Sequence, residues 1–328
     1  KYGEGGEGAI GYLVGEENRG LNAMFIMMNE ARLAVGVQGV ALAERATQRA
    51  IAYAKERRQG RSAKGKAGEM SPIIEHADIR RTLMIMKALT QAARAICLAT
   101  AREVDISHHA ADAAERQTAA NRTALLTPIA KAFSTDIAIE VTSMGVQIHG
   151  GMGFVEETGA AQHYRDARIL PIYEGTNGIQ ALDLVTRKLP IEGGKVAAAY
   201  IGELAKTVEE VRASNRPEFG RMAERLGAAV ESLGAASRWV GKALASNQEA
   251  ALAGAQPYLR LFGLAAGGVY LARAALDATR TSGGASAQTV AIARFFAENL
   301  ATAAPGLADT VMTGADGLLA VEPDALAG

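Results

Sequence analysis

Apolar residues return every three or four positions along most of this chain, the period of a helix with one buried face. From Leu21 to about Arg58 the pattern is helical, and Gly36 and Gly39, three apart on one face, let a neighbouring helix come close. A second long helix is expected from about Glu75 to Gln117, with Ile79, Leu83, Met86, Thr90, Ala93, Cys97, Thr100 and Val104 as its seam. A third is expected from about Asn121 to Ile148, with Leu126, Ala130, Phe133, Ile137, Val141, Met144 and Ile148 facing inward, and Gly150 and Gly151 stopping it. Short helices follow near 158–166 and 177–188, and Pro190 with Gly193 and Gly194 marks a boundary. Residues 195–328 read as four or five further helices, with stripes at Leu226, Val230, Leu233, Val240 and Leu244, at Leu259, Phe262, Ala266, Val269 and Leu276, and at Phe296 and Leu300. The last fifteen or so residues are expected to be partly ordered at best.

The alternation changes only at the start. Ala9–Val14 reads as one short strand, which is unstable alone and needs a sheet that this chain does not supply. The chain thus reads as all-α, with 1–18 as the end of a β-domain, 19–190 as one helical domain and 191–328 as another. Gly3–Gly8 matches the Gly-x-Gly-x-x-Gly spacing, but no strand precedes it, and Glu4 and Glu7 repel a pyrophosphate; it reads as a turn or a disordered tip.

Composition narrows the function. The 328 residues are 49% hydrophobic, and 35 Lys+Arg balance 35 Asp+Glu, so nothing calls for nucleic acid or an anionic membrane as partner. No uninterrupted apolar run approaches the ~20 residues of a membrane span. The single cysteine, Cys97, rules out an intramolecular disulfide and suits a reducing compartment. No zinc spacing, Glu-x-x-His pair or serine nucleophile elbow occurs, so no metal site is expected. Met24, Met27 and Met28 read as packing residues, as does His149, and His108 and His109 point different ways on their helix.

One stretch carries chemistry. Tyr173-Glu174-Gly175-Thr176 lies between a charged segment and the helix that begins near Ile179; Thr176 or Asn177 suits its N-cap, and Gly175 allows a tight turn. Glu174 is held on a fixed corner, where it is either an ordinary surface carboxylate or a steadied base.

Three ordered segments decide between these. They are Asn29–Arg32 with Tyr53–Arg57, Ala130–Phe133 leading to Gln147–Phe154, and Tyr164–Arg168 leading to Ile172–Thr176. Together they resemble the acyl-CoA dehydrogenases, flavoproteins whose base is the Glu of a Tyr-Glu-Gly-Thr run. The resemblance spans about residues 30–190 and implies the family's C-terminal four-helix domain, with N-terminal helical and middle β-domains on the same or another chain. With a second helical domain following, it is greatest for large bacterial members, including 3-methylthiopropanoyl-CoA dehydrogenases, and implies a cytoplasmic bacterial enzyme.

The resemblance casts Glu174 as the base that takes the α-proton of an acyl-CoA, with FAD as hydride acceptor. Covered by substrate and flavin, such a carboxylate loses water and its pKa should rise toward neutrality. It implies that the Glu174 backbone N–H bonds the thioester oxygen, that Gly175 leaves room for acyl-CoA, and that Tyr173 and Arg32 serve the substrate; a bundle-surface arginine is the plain alternative for Arg32. Arg57 matches an arginine on the FAD pyrophosphate, commonly of a neighbouring subunit; otherwise it is a cation at a helix C-terminus. Gln147, Gly150 and Gly151 match residues that hold the adenosine diphosphate part of FAD, and Thr176 one that bonds the flavin. Two departures stand out: Gln59-Gly60 replaces the family's usual Thr-Phe-Gly continuation, and Gly178 replaces a flavin-side glutamine. The implied partners are an electron-transferring flavoprotein and further copies in a homodimer or homotetramer. The near rival is an acyl-CoA oxidase, which passes its electrons to oxygen; a non-catalytic helical scaffold is the other.

Overall fold

In the computed structural model, residues 5–6, 8–280 and 284–327 are described. Gly3, Glu4 and Glu7 of the Gly3–Gly8 run lie outside them. Three long helices organise the N-terminal half: α1 (Gly20–Glu56), α2 (Ala77–His109) and α3 (Ala113–His149). All three pack on one another. The expected seams face inward, with Leu83, Met86, Thr90, Ala93, Cys97 and Thr100 of α2 buried against Leu126, Ala130, Phe133, Ile137, Val141 and Ile148 of α3. The α2–α3 boundary falls earlier than the seams suggest. Helix α2 stops at His109, and α3 starts at Ala113 because the Asp112 carboxylate caps it, accepting the N–H groups of Ala114 and Glu115, each at 3.2 Å.

Short elements connect α3 to the second half: α4 (Gly151–Phe154), α5 (Ala160–Arg168) and α6 (Asn177–Asp183). The helix expected over 177–188 widens to π geometry at Leu184–Lys188. The second bundle holds α7 (Lys195–Ala213), α8 (Met222–Ser246), α9 (Gln248–Ala253), α10 (Ala255–Ala278), α11 (Gly284–Asn299), α12 (Ala304–Thr313) and α13 (Ala315–Leu319). The C-terminal stretch therefore continues as short helical turns.

Ala9–Val14 forms no strand. Ile10, Tyr12, Leu13 and Val14 are exposed, because no second strand among the described residues offers their backbone a ladder.

One large apolar core runs through both halves, from Val40 of α1 to Val311 of α12, and a smaller one gathers Val35, Ala138, Ala167 and Leu170. Helix α10 joins them, packing on α2, α3 and α6 as well as on α7, α8, α11 and α12. Its glycines permit this: a Cβ on Gly263 would sit 2.2 Å from the Phe133 ring, and one on Gly267 2.8 Å from Ala92. Burying a Phe side chain such as Phe133 contributes roughly 1.5–3 kcal/mol. Helices α2 and α10 each hold an 18-residue window long and apolar enough to span a membrane by composition; 50% and 72% of those windows are buried within the protein's own core.

Gly36 and Gly39 lie where α1 meets α3. A Cβ on Gly36 would sit 2.6 Å from the Ala130 carbonyl oxygen, and one on Gly39 2.8 Å from that of Ser134. Both neighbours are backbone and cannot swing away. Gly36→Val should therefore lower the unfolding free energy by about 1–3 kcal/mol, measured by urea denaturation, as overpacking outweighs the gain in helix propensity.

Candidate active-site corner and cofactor cleft

The expected site residues fall into two groups. At the first, the chain leaves α5, turns through Ile169–Ile172 and reaches Glu174. Glu174 has φ of 56° and Gly175 φ of 84°, two successive left-handed residues. For a glutamate this conformation costs on the order of 1–2 kcal/mol, so its surroundings must impose it. The Thr176 hydroxyl then caps α6, accepting the Ile179 N–H at 3.2 Å. Gly175 suits this φ, which strains any residue with a Cβ, and a Cβ would also lie 2.6 Å from the Gln180 side-chain nitrogen.

What imposes the corner is buried and polar. Lys131 of α3 is fully buried, and its ammonium donates to the Gly175 carbonyl at 2.9 Å and to Asn177 Oδ1 at 2.8 Å. Asn177 Nδ2 donates to Asp136 Oδ1 at 2.6 Å, to Thr135 Oγ1 at 2.9 Å and to the Ala132 carbonyl at 3.1 Å. The amide orientation follows from its neighbours, since a lysine can only donate and a carboxylate accepts. Burial pulls the Lys131 ammonium down to a pKa of about 8, against the pull of Asp136; Arg32 lowers it further and Glu174 supports it. Burial also raises the Asp136 carboxyl, opposed by the Asn177 hydrogen bond and the Arg260 charge.

Around the corner, Tyr173 donates its hydroxyl proton to Gln38 of α1. Arg32 is only 8% exposed, so it is no surface arginine. Among the described residues its side chain has one hydrogen bond, Nη1 to Asn29 Oδ1 at 3.3 Å, and its buried Nε has none. The Gln180 amide is fully buried, and neither its Oε1 nor its Nε2 has a partner among the described residues. The Glu174 N–H likewise meets no acceptor among them.

The second group lines a cleft of about 680 Å³ between the C-terminal ends of α1 and α3. Arg57, Gln147, Gly150 and Gly151 all line it, with Tyr53, Gln59, Gly60 and His76. Gly150 sits at φ 60°, ψ −141°, a backbone region open in practice only to glycine. His149 has the packing role expected of it: its Nδ1 donates to the Gly145 carbonyl at 2.7 Å, and its ring lies 4.4 Å from that of Tyr53. The loop over 59–72 is pinned to the rim by an antiparallel bridge between Arg58 and Pro72 and by His76 Nε2 donating to the Gln59 carbonyl at 2.8 Å. The Arg57 guanidinium forms no ion pair among the described residues. An arginine without an ion pair among the described residues, a glutamine amide and a backbone that a ligand can approach closely fit the diphosphate of a dinucleotide. None of Arg32, Tyr173, Glu174, Gly175 or Thr176 lines this cleft.

Lys131, Asn177 and Gln180 were not among the site residues expected from sequence. The signal available was polarity at inward positions: Lys131 interrupts the apolar seam of α3 between Ala130 and Phe133.

Comparison with known proteins matches residues 18–189 to the acyl-CoA dehydrogenase C-terminal domain and residues 200–322 to the acetyl-CoA dehydrogenase C-terminal-like domain. The 3-methylmercaptopropionyl-CoA dehydrogenase of Ruegeria pomeroyi is 48% identical over 272 residues, which are 83% of this chain and 46% of that protein. The chain thus spans about half the length of this relative. Two solved structures share the fold. Caenorhabditis elegans ACDH-11 in complex with C11-CoA has a TM-score of 0.73 at 20% identity, over 89% of this chain and 46% of that one. The Bacillus anthracis acyl-CoA dehydrogenase complexed with FAD has a TM-score of 0.64 at 24% identity, over 94% of this chain and 51% of that one. With its first helical half matched from end to end, this chain belongs to the acyl-CoA dehydrogenase family.

Proposed function

We propose that the chain supplies the base and part of the cofactor seat for α,β-dehydrogenation of an acyl-CoA. The observation that carries this reading is the left-handed Glu174 corner, imposed by buried groups while the Glu174 amide stays unspent. In the reaction, the α C–H bond breaks and its proton passes to a Glu174 carboxylate oxygen. The β-carbon gives up its hydrogen with both bonding electrons as the Cα–Cβ double bond forms. Bound FAD supplies the two-electron acceptor. The Glu174 N–H is free to bond the thioester oxygen and polarise the carbonyl while the proton leaves.

Arg57 would hold the pyrophosphate and Gln147, Gly150 and Gly151 the adenosine side of FAD, with Thr176 toward the flavin. Arg32, Tyr173 and Gly175 would face the acyl-CoA. The separation of the cleft from the corner supports assembly as an oligomer, in which the cleft serves the FAD of a neighbouring copy. An electron-transferring flavoprotein is the proposed electron acceptor. Identity with the Ruegeria pomeroyi protein puts 3-methylmercaptopropionyl-CoA first among substrates to try.

The test uses the complete protein under anaerobic conditions, with flavin absorbance followed as acyl-CoAs are added. Wild type should bleach. Glu174→Gln should keep its flavin and bleach at least about 100-fold more slowly, the scale of a lost general base. Bound flavin that no acyl-CoA reduces would overturn the reading, and rapid oxygen consumption on turnover would move it to the oxidases. Arg57→Met should weaken flavin retention by about 10-fold or more, measured by ultrafiltration, since it removes a charge-assisted hydrogen bond worth roughly 1.5–3 kcal/mol.

A further inference from the structure

A buried lysine in an apolar helical core is costly unless it is paired, and this one is spent on backbone. Lys131 bonds the carbonyl of the residue directly after Glu174, and through Asn177 it is tied to Asp136. The line continues into the second bundle. Arg260 of α10 pairs with Glu140 at 2.6 and 2.9 Å, and its guanidinium lies 5.5 Å from the centre of the Phe133 ring. Its charge also bears on Asp136. Helix α10 packs against both α3 and α6, the two elements that hold the corner between them.

We propose that Lys131, Asn177 and Asp136 form a positioning relay that sets the Glu174 carboxylate for proton abstraction, and that Arg260, paired with Glu140 one helical turn along α3 from Asp136, ties the helix that carries the relay to the second bundle. This rests on Glu174 being the base. The relay touches no reacting atom. Its effect is to hold the Glu174–Gly175 peptide in a conformation that a glutamate does not adopt on its own. With Lys131 bonded, the Gly175 carbonyl cannot turn and the base cannot relax away. The second bundle then bears on the relay through α3, because Gly263 brings α10 onto Phe133 and Arg260 of α10 pairs with Glu140 of the same helix as Phe133.

The test uses the complete, flavin-loaded protein and compares wild type with Lys131→Met and Arg260→Met. Flavin content, kcat, KM and the isotope effect on kcat with α-deuterated acyl-CoA are measured. Misplacing a base by about 1 Å costs on the order of 100-fold, so Lys131→Met should lower kcat at least about 10-fold, with KM within about threefold and flavin content unchanged. The isotope effect should rise, because proton abstraction becomes more rate-limiting. Arg260→Met, which leaves the relay residues in place, should lower kcat about 3–10-fold with the same rise, and it decides the matter if Lys131→Met does not fold. A kcat within twofold of wild type overturns the proposal. So does a kcat that falls in step with flavin content at an unchanged isotope effect, since that is a structural loss. Wild-type flavin that no acyl-CoA reduces overturns the Glu174 reading itself, a result separate from either.

Discussion

One buried charge sets the terms for the corner. An ammonium removed from water needs oxygen partners on every donor it can satisfy, and Lys131 finds them in the Gly175 carbonyl and the Asn177 side chain. That demand explains three features together. Asn177 must present its oxygen to lysine and its nitrogen to Asp136, which neither aspartate nor leucine can do. Gly175 favours glycine, because its carbonyl is turned inward to Lys131 at a φ of 84°. Glu174 is left in a left-handed conformation by the same turn. Coulomb attraction alone would not give this result. The geometry comes from desolvation, which makes any alternative arrangement leave a polar group unpaired.

The rest of the molecule packs behind that corner. Helices α1 and α3 approach closely at Gly36 and Gly39, and α10 closes on α2 and α3 at Gly267 and Gly263. These contacts trade helix propensity for close backbone packing. Roughly 1 kcal/mol per glycine is given up, and the apolar surface buried around it returns more. The outcome is one large core shared by both halves, with a smaller cluster of Val35, Ala138, Ala167 and Leu170 beneath Tyr173 at the corner.

Much of this was legible in the residues. The seams of α2 and α3 were readable because a stripe repeated every three or four positions has only one way to be buried. The α2–α3 boundary was not found from the seams, although Asp112 and Glu115 form the start of a capping pattern; an alanine-rich stretch hides a break that apolar periodicity alone cannot show. Ala9–Val14 has strand composition, but a strand is a property of a pair, and the described residues contain no partner for it. At the candidate site, Glu174, Arg57 and Gln147 were singled out only through ordered segments that resemble the acyl-CoA dehydrogenases. Lys131 was missed because a lysine in a helix is ordinarily solvated, and only its place within an inward seam marked it.

Arg32 and Gln180 extend the same logic toward the ligand side. Each is buried and carries polar atoms without a partner among the described residues. Leaving such groups unpaired costs roughly 1–3 kcal/mol apiece, which a stable core rarely tolerates without return. The Gly175 position links them: a Cβ there would fall 2.6 Å from Gln180 Nε2 and 3.8 Å from Arg32 Nη2. Both unspent groups therefore gather at the one residue whose carbonyl Lys131 holds. That corner has its backbone held by Lys131, while the neighbouring donors remain unspent. Fixing the first makes the second specific, because a ligand bonded there meets groups that cannot move to accommodate a wrong one.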